Sequence, residues 1–429
     1  MQLFFATAEL ELIFDEQVHG PNARAYRVGL ACQPRAASTQ ARVVRIAPQR
    51  SGRVSDDTVY LAVTAEFFLR LASAARRAGH PKCIKLLRDA SARELLKRPT
   101  MPRRLEAWDA SRTSIEDQLA QRVAAGPARV AILNQYATAF GDTIVSLTAF
   151  RELRRRLAAR FGSVEIGLVQ HPDNLAAEEL IQSSGVVDRI HRLPAPLAIL
   201  QMYDGFITLP HDPDGRQGCW IDGMLDALGI DADTVTADQK RNELRVDSSS
   251  RSYVDDLLAL GRRSKRPLIL VHAEASAPIR SVPPHAMKRL LERLLAETDA
   301  VAVTTAPAPF SDTRIVDVTG QLPTFSHFVA LVSAVDGFIS ADTCLYHVAD
   351  ALDVPGVVLF TSVEPERRLK YYEGIHGLLM GDDSGRLLGR HDSTDADHLA
   401  IADAAWARFD PKAVIGHLGE LRQGATAPR

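Results

Sequence analysis

RIVDVTGQLPTFSHFVALVSAVDGFISADTCLYHVADALDVPGVVLF spans residues 314–360. Three short apolar runs (RIVDVTG, DGFISAD and PGVVLF) enclose two longer stretches, FSHFVALVSAV and CLYHVADALDV. The longer stretches place apolar residues at helical spacing, and the short runs are bounded by turn residues as strands are. The strands are apolar almost throughout instead of alternating, which suits a sheet covered on both faces. Strands that alternate with helices in this way form a parallel sheet.

The rhythm extends in both directions. Upstream, RPLILVHAEA reads as a strand, HAMKRLLERLLAE as a helix with apolar residues at 287, 290, 291, 294 and 295, and AVAVTTA as a strand. A polar, aperiodic stretch, ADTVTADQKRNELRVDSSS, reads as a linker. Before it lies another series: strand ARVAILNQ, helix 142–161, strand SVEIGLVQ, helix NLAAEELIQSSG, strands VVDRIHRLP and DGFITLP, and helix CWIDGMLDALGI. The expectation is an α/β chain with two doubly wound, Rossmann-like domains, at 126–245 and at 246–429, the latter ending in a C-terminal helix. In such sheets ligands sit outside the carboxyl ends of the strands. Residues 1–125 lack the rhythm and read as a separate α+β domain, with a Pro- and Arg-rich linker at 97–104. That domain is a candidate for acceptor or partner recognition.

Composition narrows the function classes. The chain has 429 residues, 46% of them hydrophobic and 24% charged, with a net charge of −2. This is the balance of a soluble globular protein, and it argues against a broad nucleic-acid surface. Cys32, Cys83, Cys219 and Cys344 lie far apart, which fits a reducing compartment better than a zinc site or a disulfide framework. The amino terminus carries acids early and reads as no signal peptide, and no apolar run reaches the roughly 20 residues of a membrane span. A cytoplasmic protein is expected. The basic run Arg151, Arg154, Arg155, Arg156 and Arg160 offers a peripheral contact with anionic lipid, but the favoured reading is the solvated face of a helix.

Four stretches lie where strands hand over to helices or loops: ATAFGDT (137–143), HAEASAPIRSVPP (272–284), the 317–360 run and TSVEPERRLKYY (361–372). No GxGxxG follows the first strand, which weakens a nicotinamide reading. Asp142, at the start of a helix, is either a cap or a base by its position alone. Asp212 and Asp214, in HDPD, formally match a metal-binding DxD, but a proline between acids after a strand marks a turn.

These stretches resemble glycosyltransferase family 9, the ADP-heptose–dependent heptosyltransferases. The Gly141-Asp142 turn with LTAFRELRRR after it is similar to the family's first motif. His272 to Ser276, with Arg280, Val282 and Pro283, is similar to its second. Thr319-Gly320, the Asp342–Leu352 run, Pro355 and VVLFTSVEP are similar to its third. The resemblance covers about 126 to 375 and departs where the family has Lys (Arg280), Trp (Val282) and three glycines (Glu274, Cys344 and Thr361).

The resemblance implies the GT-B fold and an inverting, metal-independent transfer of a sugar from a nucleotide-diphosphate sugar. No cofactor and no metal are implied. Asp142 would be the catalytic base, with Gly141 and Thr143 on the acceptor side. Ser276, Arg280, Thr319, Asp342, Thr343, Cys344, His347 and Glu364 would face the donor, with Arg367 near its ribose or base. The acceptor would be a lipopolysaccharide core sugar or a protein hydroxyl. Two other classes compete, a GT-B sugar-nucleotide epimerase and a non-catalytic nucleotide-sugar-binding module. The altered phosphate-side residues leave the donor open.

Overall fold

Two parallel sheets organise the computed structural model. It describes residues 4–5, 26–30, 43–48, 59–62, 115–120, 127–133, 139–170, 175–192, 195–196, 202–208, 218–381 and 385–425. By compactness the chain divides into one unit made of Met1–Thr138, Phe150–Gly215 and Leu225–Ile230, and another made of Ala139–Ala149, Arg216–Met224 and Asp231–Arg429. The long helix Phe140–Phe161 gives its first turns to the second unit and its remainder to the first.

The first unit holds strands β1 (Phe4–Phe5), β2 (Tyr26–Leu30), β3 (Val43–Pro48) and β4 (Val59–Ala62), within the stretch read as an α+β domain. The last three form an antiparallel sheet in the order β2-β3-β4. The rest of the expected N-terminal domain, its linker at 97–104, Cys32 and Cys83 lie outside the described residues.

β5 (Ala128–Leu133), β6 (Val164–Gln170), β7 (Arg189–Arg192), β8 (Ala195–Pro196) and β9 (Gly205–Thr208) follow. Four of them form a parallel sheet in the order β7-β6-β5-β9, and β8 pairs with β1. The order reverses direction beside β5, whose carboxyl end leads to the Gly141-Asp142 turn.

The basic run is largely neutralised by its own neighbourhood. Arg154 forks onto Asp188 at 2.8 and 3.0 Å, Arg155 and Arg156 converge on buried Glu152 at 2.7 Å, and Arg160 pairs with Glu116. The arginines hold the Glu152 carboxyl below its usual range although burial opposes them.

The second unit holds β10 (Leu268–His272), β11 (Val301–Thr304), β12 (Ile315–Asp317), β13 (Gly337–Ala341), β14 (Gly356–Phe360) and β15 (Ile375–Leu379). Their order is β12-β11-β10-β13-β14-β15, all parallel. Numbered along the sheet this is 3-2-1-4-5-6, the doubly wound order, with its switch point between β10 and β13. β13 and β14 are buried at every position, which explains their unbroken apolar sequence. The helix Pro284–Glu297 buries Met287, Leu290, Leu291, Leu294 and Leu295 on the sheet, the stripe its spacing dictates.

The polar stretch read as a linker is more ordered than its composition suggests. It makes two short 3-10 turns, Ala232–Thr234 and Asp238–Lys240, and it buries Lys240 and Asn242 to 3% and 4% exposure. Among the described residues no helix is long and apolar enough to cross a membrane.

Candidate active site

The switch point of the six-stranded sheet places two loops side by side. One leaves β10 at His272 and the other leaves β13 at Asp342, and His272 pairs with Ser340 in the register. Arg280, on the 3-10 turn Pro278–Arg280, stitches the loops together. Its guanidinium donates to Ser276 Oγ at 2.6 Å, to the Asp342 carbonyl at 2.9 Å and to the His391 carbonyl at 3.2 Å. The Asp342 carboxylate lies 3.9 Å away, and Arg280 is largely buried. Ser276, Arg280 and Asp342, read from the sequence as one donor-facing group, are brought together. Arg280's fork is engaged by the protein, so this arginine holds the loop framework as well as carrying charge to it.

Asp342 is buried to 3% exposure, and its Oδ1 accepts a hydrogen bond from Tyr346 Oη at 3.0 Å. Cys344, half-buried, immediately precedes the helix Leu345–Ala351, and Thr343 Oγ1 accepts from the Leu345 amide at 3.2 Å. Burial pushes the Cys344 thiol up to about 12, and the Asp142 carboxylate pushes it the same way. Asp142 and Cys344 are thus electrostatically coupled.

Immediately before Asp142 stands Gly141. A Cβ built there would lie 2.9 Å from His347 Cδ2, 3.3 Å from its Nε2 and 3.4 Å from the Cys344 Cα. A glycine stands at 141 because the edge of an imidazole and a backbone crowd it. Asp142 lies in the first turn of Phe140–Phe161, partly exposed, and is not the capping residue; the Thr143 amide closes that turn onto the Ala139 carbonyl. Next to it, Phe140 stacks on Phe325 with centroids 3.8 Å apart and planes within 4°. Thr143, expected to face an acceptor, is fully buried, and its hydroxyl bonds back to Ala139 at 3.0 Å.

His347 is the third residue of its helix and is buried to 4% exposure. Burial pushes its imidazole down to about 3, so it is neutral at ordinary pH. Its Nδ1 is 2.6 Å from Tyr372 Oη. Tyr372 in turn accepts from Asn242 Nδ2 at 2.8 Å. Sequence reading missed both residues: Asn242 lies in the aperiodic stretch, and Tyr372 sits unremarked at the end of TSVEPERRLKYY.

The remaining expected site residues stand apart. Thr319 is exposed in a turn in which its amide bonds to Asp317 at 2.9 Å. Glu364 heads the short helix Pro365–Leu369 with an exposed side chain, and Arg367 lies within that helix. Asp212 and Asp214 lie outside the described residues. Among those described, no group of three or more His, Cys, Asp and Glu side chains is placed to hold a metal.

Similarity to known proteins bears on this geometry. Residues 227–379 match the model of glycosyltransferase family 9 (heptosyltransferase). No curated protein sequence matches the chain. The structure is similar to that of the E. coli ADP-heptose lps heptosyltransferase II, at 16% identity and a TM-score of 0.50, over 70% of this chain and 100% of that one. It is also similar to a glycosyltransferase family 9 protein from Veillonella parvula, at 12% identity and a TM-score of 0.46, over 71% and 99%. A further likeness is to E. coli heptosyltransferase WaaC with ADP, at 11% identity and a TM-score of 0.44, over 68% and 99%. The first of these likenesses shows the fold, an α/β architecture of parallel sheets shared with a heptosyltransferase. Over residues 227–379 the resemblance read from the sequence therefore holds: that stretch matches glycosyltransferase family 9, the heptosyltransferases.

Proposed function

We propose that the protein is an inverting, metal-independent glycosyltransferase that moves a heptose from ADP-heptose to a hydroxyl of a lipopolysaccharide core sugar or of a protein. The sugar is proposed on the family match of residues 227–379. The observation that carries the reading is the close approach of Gly141 to His347 and Cys344. It sets a partly exposed carboxylate, Asp142, beside the loop that follows the switch-point strand β13.

The reaction assigned to this arrangement forms a bond from the acceptor oxygen to the anomeric carbon. The bond from that carbon to the diphosphate breaks, and the leaving nucleoside diphosphate takes its electron pair. Asp142 takes the acceptor's proton. Arg280, Ser276, Asp342 and Thr343 frame the donor, with Arg280 supplying positive charge as the diphosphate develops negative charge.

The test is Asp142→Asn, assayed with ADP-heptose in EDTA. Asparagine cannot take the proton, so kcat falls by roughly 10²–10⁴-fold with donor affinity nearly unchanged. If Asp142 only complemented the helix dipole, Asn would cost about 0.3–1 kcal/mol of stability and leave turnover intact. A fully active Asp142→Asn protein ends the catalytic assignment, and activity that needs Mg²⁺ or Mn²⁺ ends the metal-free one.

A further inference from the structure

A buried chain of hydrogen bonds runs from His347 back to the helix that carries Asp142. Thr148, two turns beyond Gly141, donates to Asn242 Oδ1 at 2.8 Å. Asn242 Nδ2 donates to Tyr372 Oη at 2.8 Å and to Asp350 Oδ2 at 2.9 Å, and the Asn242 amide also donates to Asp350 Oδ2 at 2.8 Å. These partners fix which end of the Asn242 side chain is oxygen. Tyr372 Oη already accepts from Asn242, so its own proton is available for His347 Nδ1 at 2.6 Å. The neutral imidazole then carries its proton on Nε2, on the edge that faces Gly141.

The helix is therefore touched at two points by one network. His347 bears on Gly141, and Asn242 holds Thr148, so the two points straddle Asp142. Thr148, Asn242, His347 and Asp350 are each buried below 5% exposure, where water cannot substitute for a lost partner. Arg241 anchors the same segment through the Asp350 carbonyl at 2.9 Å and Asp353 at 2.7 Å.

We propose that Tyr372 and Asn242 are positioning residues for Asp142: they lock the first two turns of Phe140–Phe161 so that its carboxylate stays in one place. The proposal rests on the reading of Asp142 as the base. It assigns Tyr372 and Asn242 no contact with substrate. Their effect is on how often Asp142 is correctly placed, which changes turnover and not donor binding.

The experiment compares Tyr372→Phe and Thr148→Val with Asp142→Asn. Both replacements keep the volume and remove one hydroxyl each, at opposite ends of the network. Expected is a kcat lower by about tenfold in each, with the donor KM within about twofold of wild type. Amide hydrogen exchange over residues 141–148 rises in both, a readout independent of activity. If both variants fold, keep wild-type kcat and leave exchange over 141–148 unchanged, the positioning role is overturned. Equal losses in kcat and donor affinity overturn it as well, because they would place the network in the donor site. If Asp142→Asn is fully active, the base reading fails, and the positioning claim fails with it for that separate reason. Were either variant poorly folded, Asn242→Ser, which replaces the carboxamide by a single small hydroxyl, would serve the same comparison.

Discussion

Arg280 is the residue at which the sequence and the structure place different weights. Read along the chain, it stands where the family has lysine, and it suggests a cation for phosphate. In the structure its fork spans Ser276, the Asp342 carbonyl and the His391 carbonyl. A lysine ammonium is a compact charge and cannot hold all three partners. Arg280→Ala removes the donor from the part-buried Asp342 and His391 carbonyls, which costs roughly 1–3 kcal/mol, and it also removes charge from the proposed donor side. The expected outcome is a lower melting temperature together with weaker donor binding, with Arg280→Lys intermediate in both. Scanning calorimetry and donor titration check this, and wild-type values for the alanine variant would remove Arg280 from both roles. Asp342 directly follows an apolar strand and Asp142 opens a helix, and the sequence singles both out, though position alone leaves Asp142 a cap or a base. Asn242 and Tyr372 were not legible, because their hydrogen bonds join residues 25 to 130 positions apart in the chain and leave no local pattern.

At the level of elements, the opening turn of Phe140–Phe161 depends on what its glycine meets. Helix propensity alone favours alanine over glycine by about 1 kcal/mol. At Gly141 that preference is opposed, because the added methyl would press on His347 and Cys344. Gly416, in the helix Pro411–Ala425, is the control, since a Cβ there meets nothing within 4 Å. Gly416→Ala should stabilise by about 0.5–1 kcal/mol with activity unchanged, whereas Gly141→Ala should lower both stability and turnover. Chemical denaturation and steady-state rates read the two signs. If Gly141→Ala proved as stabilising as Gly416→Ala, the close approach would not constrain the site. The strands and the amphipathic helices of the second unit were legible because burial on both faces, or on one stripe, writes itself into residue order. The stretch from 231 to 247 was not, because its order comes from single polar anchors such as Lys240, which reaches Asp222 at 2.7 Å, and these leave no period.

For the molecule as a whole, buried and half-buried histidines set the response to mild acid. Burial pushes His347 down to about 3 and His272 down to about 4, and it lowers His191 and His376 as well. In the unfolded chain these groups take a proton near pH 6.5, so below that pH the unfolded state binds more protons than the folded state. Stability therefore falls as pH falls, by up to about 1.4 kcal/mol per pH unit for each fully shifted group. Asp350 acts in the opposite sense. Burial raises its carboxyl to about 6, against the help of Asn242 and Arg241, so the folded state takes its proton first and gains stability between pH 6 and the ordinary carboxylate range. Carboxylates held low, such as Glu152 and Asp222, are ionised in both states across this window and contribute their losses only in stronger acid. Four histidines outweigh one aspartate, so the melting temperature should drop from pH 7 to pH 5. Asp350→Asn removes the opposing group, so the drop should be steeper in that variant even though its stability at pH 7 is lower. A melting temperature that stays flat or rises toward pH 5 in the wild type would mean that these imidazoles are protonated inside the fold. His347 could not then be the neutral partner that Tyr372 holds against Gly141.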